Sequence, residues 1–144
     1  MSPFQSLSLR ICLASVTVVM SLAASAAEQV FPCPAEVQPA SMKVDAPKGY
    51  KSHGPSPFRL TGAGLMWGPP ETMATSVPHK TTEKGGKETD SWAGIEHEPV
   101  KWMACTYEDG LVVLSQPIDP RAKACSVTRS KAKGRYVIDA RCSW

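Results

Sequence analysis

The stretch that most constrains the fold is Lys101-Trp102-Met103-Ala104-Cys105-Thr106-Tyr107-Glu108-Asp109-Gly110, followed by Leu111-Val112-Val113-Leu114. It reads as strand, turn, strand. Asp-Gly between two apolar runs is a strong hairpin signal, because a two-residue primed turn needs positive φ and glycine adopts it without a Cβ clash. Alternation along the first strand puts Met103, Cys105 and Tyr107 on one face and Trp102, Ala104 and Thr106 on the other.

The rest of the chain can be arranged around this hairpin. Val30-Phe31-Pro32-Cys33-Pro34 has the two prolines of an extended, edge-like entry. Glu36 to Val44, interrupted by Pro39, is expected to be irregular or an edge strand, and Lys51 to Pro57 a loop. Phe58 to Trp67 is expected to be a strand whose Gly62 and Gly64 mark a bulge or a close backbone approach. These glycines lack the lysine and following helix of a phosphate loop. Pro70 to Ala74 suits one helical turn with proline placed early.

Pro78 to Asp90 is the most polar stretch, with Gly85-Gly86 at its centre. It is either a solvated hairpin loop or a protruding contact loop, and His79, Lys80, Glu83, Lys84 and Lys87 are its candidate partner-binding residues. Ser91 to Ile95 and Ala124 to Thr128 are further expected strands. From Arg135 to Cys142, Tyr136, Ile138, Ala140 and Cys142 alternate with Arg135, Val137, Asp139 and Arg141, as a half-buried strand requires. The fold expected is mainly β: a small antiparallel meander, sandwich or partly open barrel in one domain, residues 27–144.

Residues 1–26 read as a cleavable signal peptide. Arg10 and the amino terminus supply positive charge, Ile11 to Leu22 is a short apolar core, and Ala24-Ser25-Ala26 offers small residues to a signal peptidase. The rival is an uncleaved membrane anchor, for which the apolar run is short. Cleavage places the domain in an oxidising compartment, the periplasm. There the four remaining cysteines, Cys33, Cys105, Cys125 and Cys142, are expected to form two disulfides. Cys105–Cys125 with Cys33–Cys142 is the pairing favoured by a compact meander. The rivals are Cys33–Cys105 with Cys125–Cys142, and Cys33–Cys125 with Cys105–Cys142.

Sixteen basic and thirteen acidic residues give a net charge of +3. That balance, without a basic run, argues against a nucleic-acid partner, and no further run is apolar enough to cross a membrane after processing. No Cys-x-x-Cys or paired-histidine spacing suggests a metal, and no cofactor motif is present. No Gly-x-Ser-x-Gly occurs. Glu96-His97-Glu98 reads as a solvated strand end in which His97 points away from both glutamates. Trp92, Trp102 and Tyr107 could stack on a sugar, but aromatics on alternating strands more often belong to the core. An enzyme is thus the weakest class, behind inhibition or binding, and no catalytic residue is assigned.

Several motifs, read in order, go further. They are Phe31-Pro32-Cys33-Pro34, Lys48-Gly49-Tyr50, the Arg-Leu-x-Gly-x-x-Leu-x-x-Gly-Pro-Pro run from Arg59 to Pro70, Trp92, Trp-Met-Ala-Cys-x-Tyr from Trp102 to Tyr107, and Cys-x-Val from Cys125 to Val127. This order resembles a family of small exported proteobacterial proteins. Some of them look like periplasmic immunity partners of type VI secretion effectors that attack peptidoglycan, including effectors of the L,D-transpeptidase type. The resemblance implies a protective inhibitor whose partner is a cell-wall-degrading toxin, and transfers no contact residues. The alternative is a periplasmic inhibitor or binding module for lysozyme or a glycan.

Overall fold

The computed structural model describes residues 27–38, 47–49, 51 and 57–144. The expected signal peptide and most of the expected irregular segment after Val37 lie outside the described residues.

Among the described residues, nine strands form two antiparallel sheets. The five-stranded sheet has the order β1 (Glu28–Phe31), β9 (Arg135–Ser143), β8 (Ala124–Ala132), β5 (Lys87–Ala93), β4 (Lys80–Lys84). The four-stranded sheet has the order β2 (Glu36–Val37), β3 (Phe58–Trp67), β6 (Lys101–Tyr107), β7 (Val112–Pro117). Alternation along each strand supplies the inner faces. Phe31, Trp92, Cys125, Val127, Ala140 and Cys142 from one sheet meet Ala63, Leu65 and Met103 from the other in one buried cluster. A second cluster gathers Val37, Phe58, Leu60, Cys105, Tyr107 and Val112. Cys33, between β1 and β2, touches both. The molecule is therefore a sandwich, one of the architectures expected from the sequence.

The C-terminal half is not one meander. β6–β7 and β8–β9 are hairpins on opposite sheets, and the chain crosses between them after Pro117. An earlier crossing, from β5 to β6, runs through a 3₁₀ turn at Ile95–His97. Lys101 ties the crossings together. It is 2 % exposed, and its Nζ donates to the carbonyls of Glu98 (2.8 Å) and Pro120 (2.9 Å). Burial lowers its pKa, while the charges of Asp119, Glu96 and Glu98 oppose that shift.

This crossing corrects the expected disulfides. Cys105 and Cys125 lie on different sheets, so they cannot pair as neighbours in a meander. Cys125 instead sits opposite Cys142 on β8–β9, with 4.0 Å between Cα atoms, and the two are bonded. Cys33 bonds to Cys105, 5.6 Å away between Cα atoms, and so fastens the β1–β2 connection to the four-stranded sheet. The two-disulfide count stands; the pairing favoured from sequence does not.

Two turns differ from expectation. The Asp109-Gly110 hairpin is longer than two residues, because Tyr107 pairs with Val112. Glu108 (φ 45°) and Asp109 (φ 53°) both take left-handed backbone, a conformation that costs a non-glycine residue about 1 kcal/mol or more. β3 holds them there: Arg59 N–H donates to Glu108 Oε1 (2.9 Å), and Asp109 N–H donates to Thr61 Oγ1 (3.1 Å). Residues 95–97 are helical rather than extended, so His97 Nε2 lies 3.8 Å from Glu96 Oε1 instead of pointing away from it.

The strand from Phe58 to Trp67 has the expected limits, and the bulge and the close approach expected of its glycines both fall at Gly62, while Gly64 has open space around it. Register shifts between Leu60 and Gly62, and a Cβ at Gly62 would stand 2.9 Å from Thr106 Oγ1. Gly62→Ala should therefore cost about 1 kcal/mol, since the threonine must give way. Most of that loss should vanish in a Thr106→Ala background. Urea midpoints of the single and double variants check this, and equal losses in both backgrounds would refute the contact.

Candidate partner-binding site

β4 and β5 form a ribbon closed by Gly85 (φ 59°) and Gly86 (φ 71°), the left-handed pair that a type I′ turn needs. The polar segment is thus a regular hairpin whose edge strand, β4, is exposed along its whole length. Between Val77 and the ribbon, His79 anchors the base: its N–H donates to Ser91 O (3.0 Å), and its Nδ1 accepts from Ala93 N–H (3.0 Å).

Strand alternation divides the remaining candidates between two faces. Lys84 stands opposite Lys87, and Lys80 opposite Ser91, on the outer face of the sheet. Glu83 stands opposite Glu88 on the other face, the one that carries Asp90 and Trp92 inward. Two like-charged pairs therefore face each other at the ribbon's tip, an arrangement that weakens a hairpin.

On the inner side two of the three carboxylates, Glu88 and Asp90 but not Glu83, pair with a residue that sequence reasoning missed. Arg129 of β8 pairs with Glu88 and, at 2.8 Å, with Asp90. Asp90 is 7 % exposed and also accepts from Thr81 Oγ1 at 2.6 Å. Burial works against the Arg129 charge, but the hydrogen bond to Glu88 and the charges of Asp90 and Glu88 outweigh it and raise its pKa. Arg129 and Lys131 follow Cys125 and Val127 at a spacing of two. Two cations continuing a core-facing row are the signal that could have flagged the site.

Arg129, Glu88, Glu83, Lys131, Tyr136 and Thr61 line a cleft of about 380 Å³ at this end of the sandwich. Lys131 Nζ lies 4.8 Å from the centre of the Tyr136 ring. Thr61 and Tyr136 also line an adjoining hollow of about 240 Å³ with Arg59, Glu108, Glu36 and Arg135. There Arg135 pairs with Glu36 at 3.1 Å. The strained turn at Glu108 and the ribbon tip thus flank one charged depression.

The depression is lined mainly by charged and polar side chains. His97, the one histidine near a carboxylate among the described residues, is exposed on the turn after β5 and does not line it. Among the described residues no group of histidine, cysteine and carboxylate side chains has a metal-binding arrangement. Trp92 and Tyr107 are buried, which takes two of the three aromatics considered for sugar stacking out of reach of a glycan; Trp102 is half-buried.

Searches of curated proteins and of solved structures returned no match. The family model described as type VI secretion system Tli immunity protein matches residues 53–143. The match takes in β3 to β9, and with them the ribbon, Arg129 and the Cys125–Cys142 bridge, while Cys33 lies before it. This chain belongs to the Tli immunity protein family of the type VI secretion system.

Proposed function

We propose that the protein is a periplasmic immunity protein that binds a type VI secretion effector acting on the cell wall and neutralises it without chemistry of its own. The observation that carries the reading is the family match over residues 53–143. Two disulfides suit an oxidising compartment, and a rigid sheet with a projecting ribbon can fill another protein's cleft with little reordering of its own. The peptidoglycan target, with an L,D-transpeptidase-type effector as its agent, rests on the motif order from Phe31 to Val127.

The contact surface is proposed to include the ribbon and its base: His79, Lys80, Glu83, Lys84 and Lys87. Unfavourable cross-strand pairs at the tip are what a binding element shows when local stability is given up for recognition.

The test is co-expression in a susceptible cell. An effector encoded beside this gene, exported to the periplasm, should kill cells that lack the protein and spare cells that make it. Purified effector should cut or re-link isolated peptidoglycan, and equimolar protein should stop it. The quintuple alanine variant of the ribbon should keep its fold but bind roughly 100-fold more weakly, the scale of losing several contact residues at once. Unprotected cells would end the immunity reading. Protection against an effector that leaves peptidoglycan intact and degrades envelope lipid would end only the cell-wall assignment.

A further inference from the structure

The ribbon is charged differently on its two sides, and among the described residues only the inner side makes ion pairs. Glu83 and Glu88 share the inner face with Arg129, which also holds Asp90. Lys80, Lys84 and Lys87 share the outer face and make no ion pair among the described residues. The ribbon's own carboxylates cannot reach them, because alternation sends those to the opposite side.

Among the described residues, the rest of the outer face offers no unpaired counter-charge to these lysines either. Cross-strand registry continues Lys80 through Ser91 and Ser126 to Arg141, and Thr82 through Thr89 and Thr128 to Asp139. Asp139 and Glu28 are both engaged by Arg141, at 2.7 and 3.2 Å. Between the lysines and that ion-paired margin lie short hydroxyl side chains, with Thr89 and Thr128 hydrogen-bonded to each other at 3.0 Å. Short side chains leave a low floor, so a partner can come close to the sheet while meeting three cations at its rim.

We infer that the outer face of the ribbon is the docking surface for an acidic segment of the effector, the carboxylates of that segment lying against Lys80, Lys84 and Lys87. The inference rests on the immunity reading and adds the face used and the chemistry of the partner. Complementary rim charges raise the association rate and make binding salt-dependent.

The experiment is zero-length carbodiimide cross-linking of the complex with the effector encoded beside the gene, since this reagent joins an amine only to a carboxylate held against it. Cross-links from Lys80, Lys84 or Lys87 to effector Asp or Glu residues are expected. The Lys80→Glu, Lys84→Glu, Lys87→Glu variant should associate roughly 100-fold more slowly at low salt. Lys123→Glu, just before β8 and at the end of that strand away from the ribbon tip, should change the rate less than about threefold. A complex whose cross-links lie only at other lysines, or whose association rate ignores the charge reversal, overturns the inference and leaves the immunity reading standing. No complex at all overturns both.

Discussion

Replacing Cys33 and Cys105 by serine is expected to cost about 4 kcal/mol, against about 3 kcal/mol for the same change at Cys125 and Cys142. The order follows from loop length. Cys33 and Cys105 are 72 residues apart in sequence, and Cys125 and Cys142 are 17 apart. The longer cross-link removes more freedom from the unfolded chain. The native surroundings point the same way. Cys125–Cys142 joins two strands already paired along their length, whereas Cys33 lies in a connection between sheets and touches both core clusters. Small domains have about 5 to 15 kcal/mol in total, so the first loss leaves a marginal protein. Urea unfolding of the two double-serine variants decides it. Equal midpoints, or a lower one for the Cys125 pair, would refute the ranking. Non-reducing peptide mapping of the parent should return the two linked pairs named here.

Much of the fold was legible because its strands obey a period of two. Tyr136, Ile138, Ala140 and Cys142 face inward as their alternation requires, and glycine marks the ribbon turn. What was not legible was which strands share a sheet. β7 and β8 are consecutive in sequence and joined by a short proline-containing link, which looks the same whether the next strand stays in the sheet or crosses to the other. The disulfide pairing depended on that choice and failed with it. The Asp109-Gly110 turn shows a second limit. Its extra length is held by Arg59 and Thr61, about fifty residues earlier, and such a tertiary support leaves no local trace.

The site was legible only in part. The polar segment around Gly85-Gly86 stood out by composition, but composition does not say which side chains share a face. Pairing separates Glu83 from the lysines and brings His79 into the backbone at the ribbon's base. Arg129 was overlooked because a lone arginine in a strand is ordinarily a solvated residue. Its meaning comes from Glu88 and Asp90, roughly forty residues away and unknown as neighbours until β5 and β8 are paired.

Arg129 carries the second large effect. Arg129→Ala should destabilise the protein by about 3 kcal/mol, the lower end of what breaking a buried ion pair costs. The lower end applies because Glu88 is half exposed and can turn to water. Asp90 cannot. Its side chain is buried and would keep only the hydroxyl of Thr81 as a partner. The loss should therefore be coupled to Asp90. Asp90→Asn removes the charge while an amide can still bond to Thr81, so in the Asp90→Asn background the arginine is worth less. The double variant should be at least about 1 kcal/mol more stable than the sum of the single effects predicts, as expected for residues in one ion-pair network. Amide exchange should also quicken in β4 and β5, where Arg129 fastens the ribbon to β8, and change little in β6 and β7 on the other sheet. Strict additivity in urea unfolding would show that Arg129 and Asp90 do not depend on each other. Unaltered exchange in β4 would show that the ribbon does not need this anchor to keep its place beside the cleft.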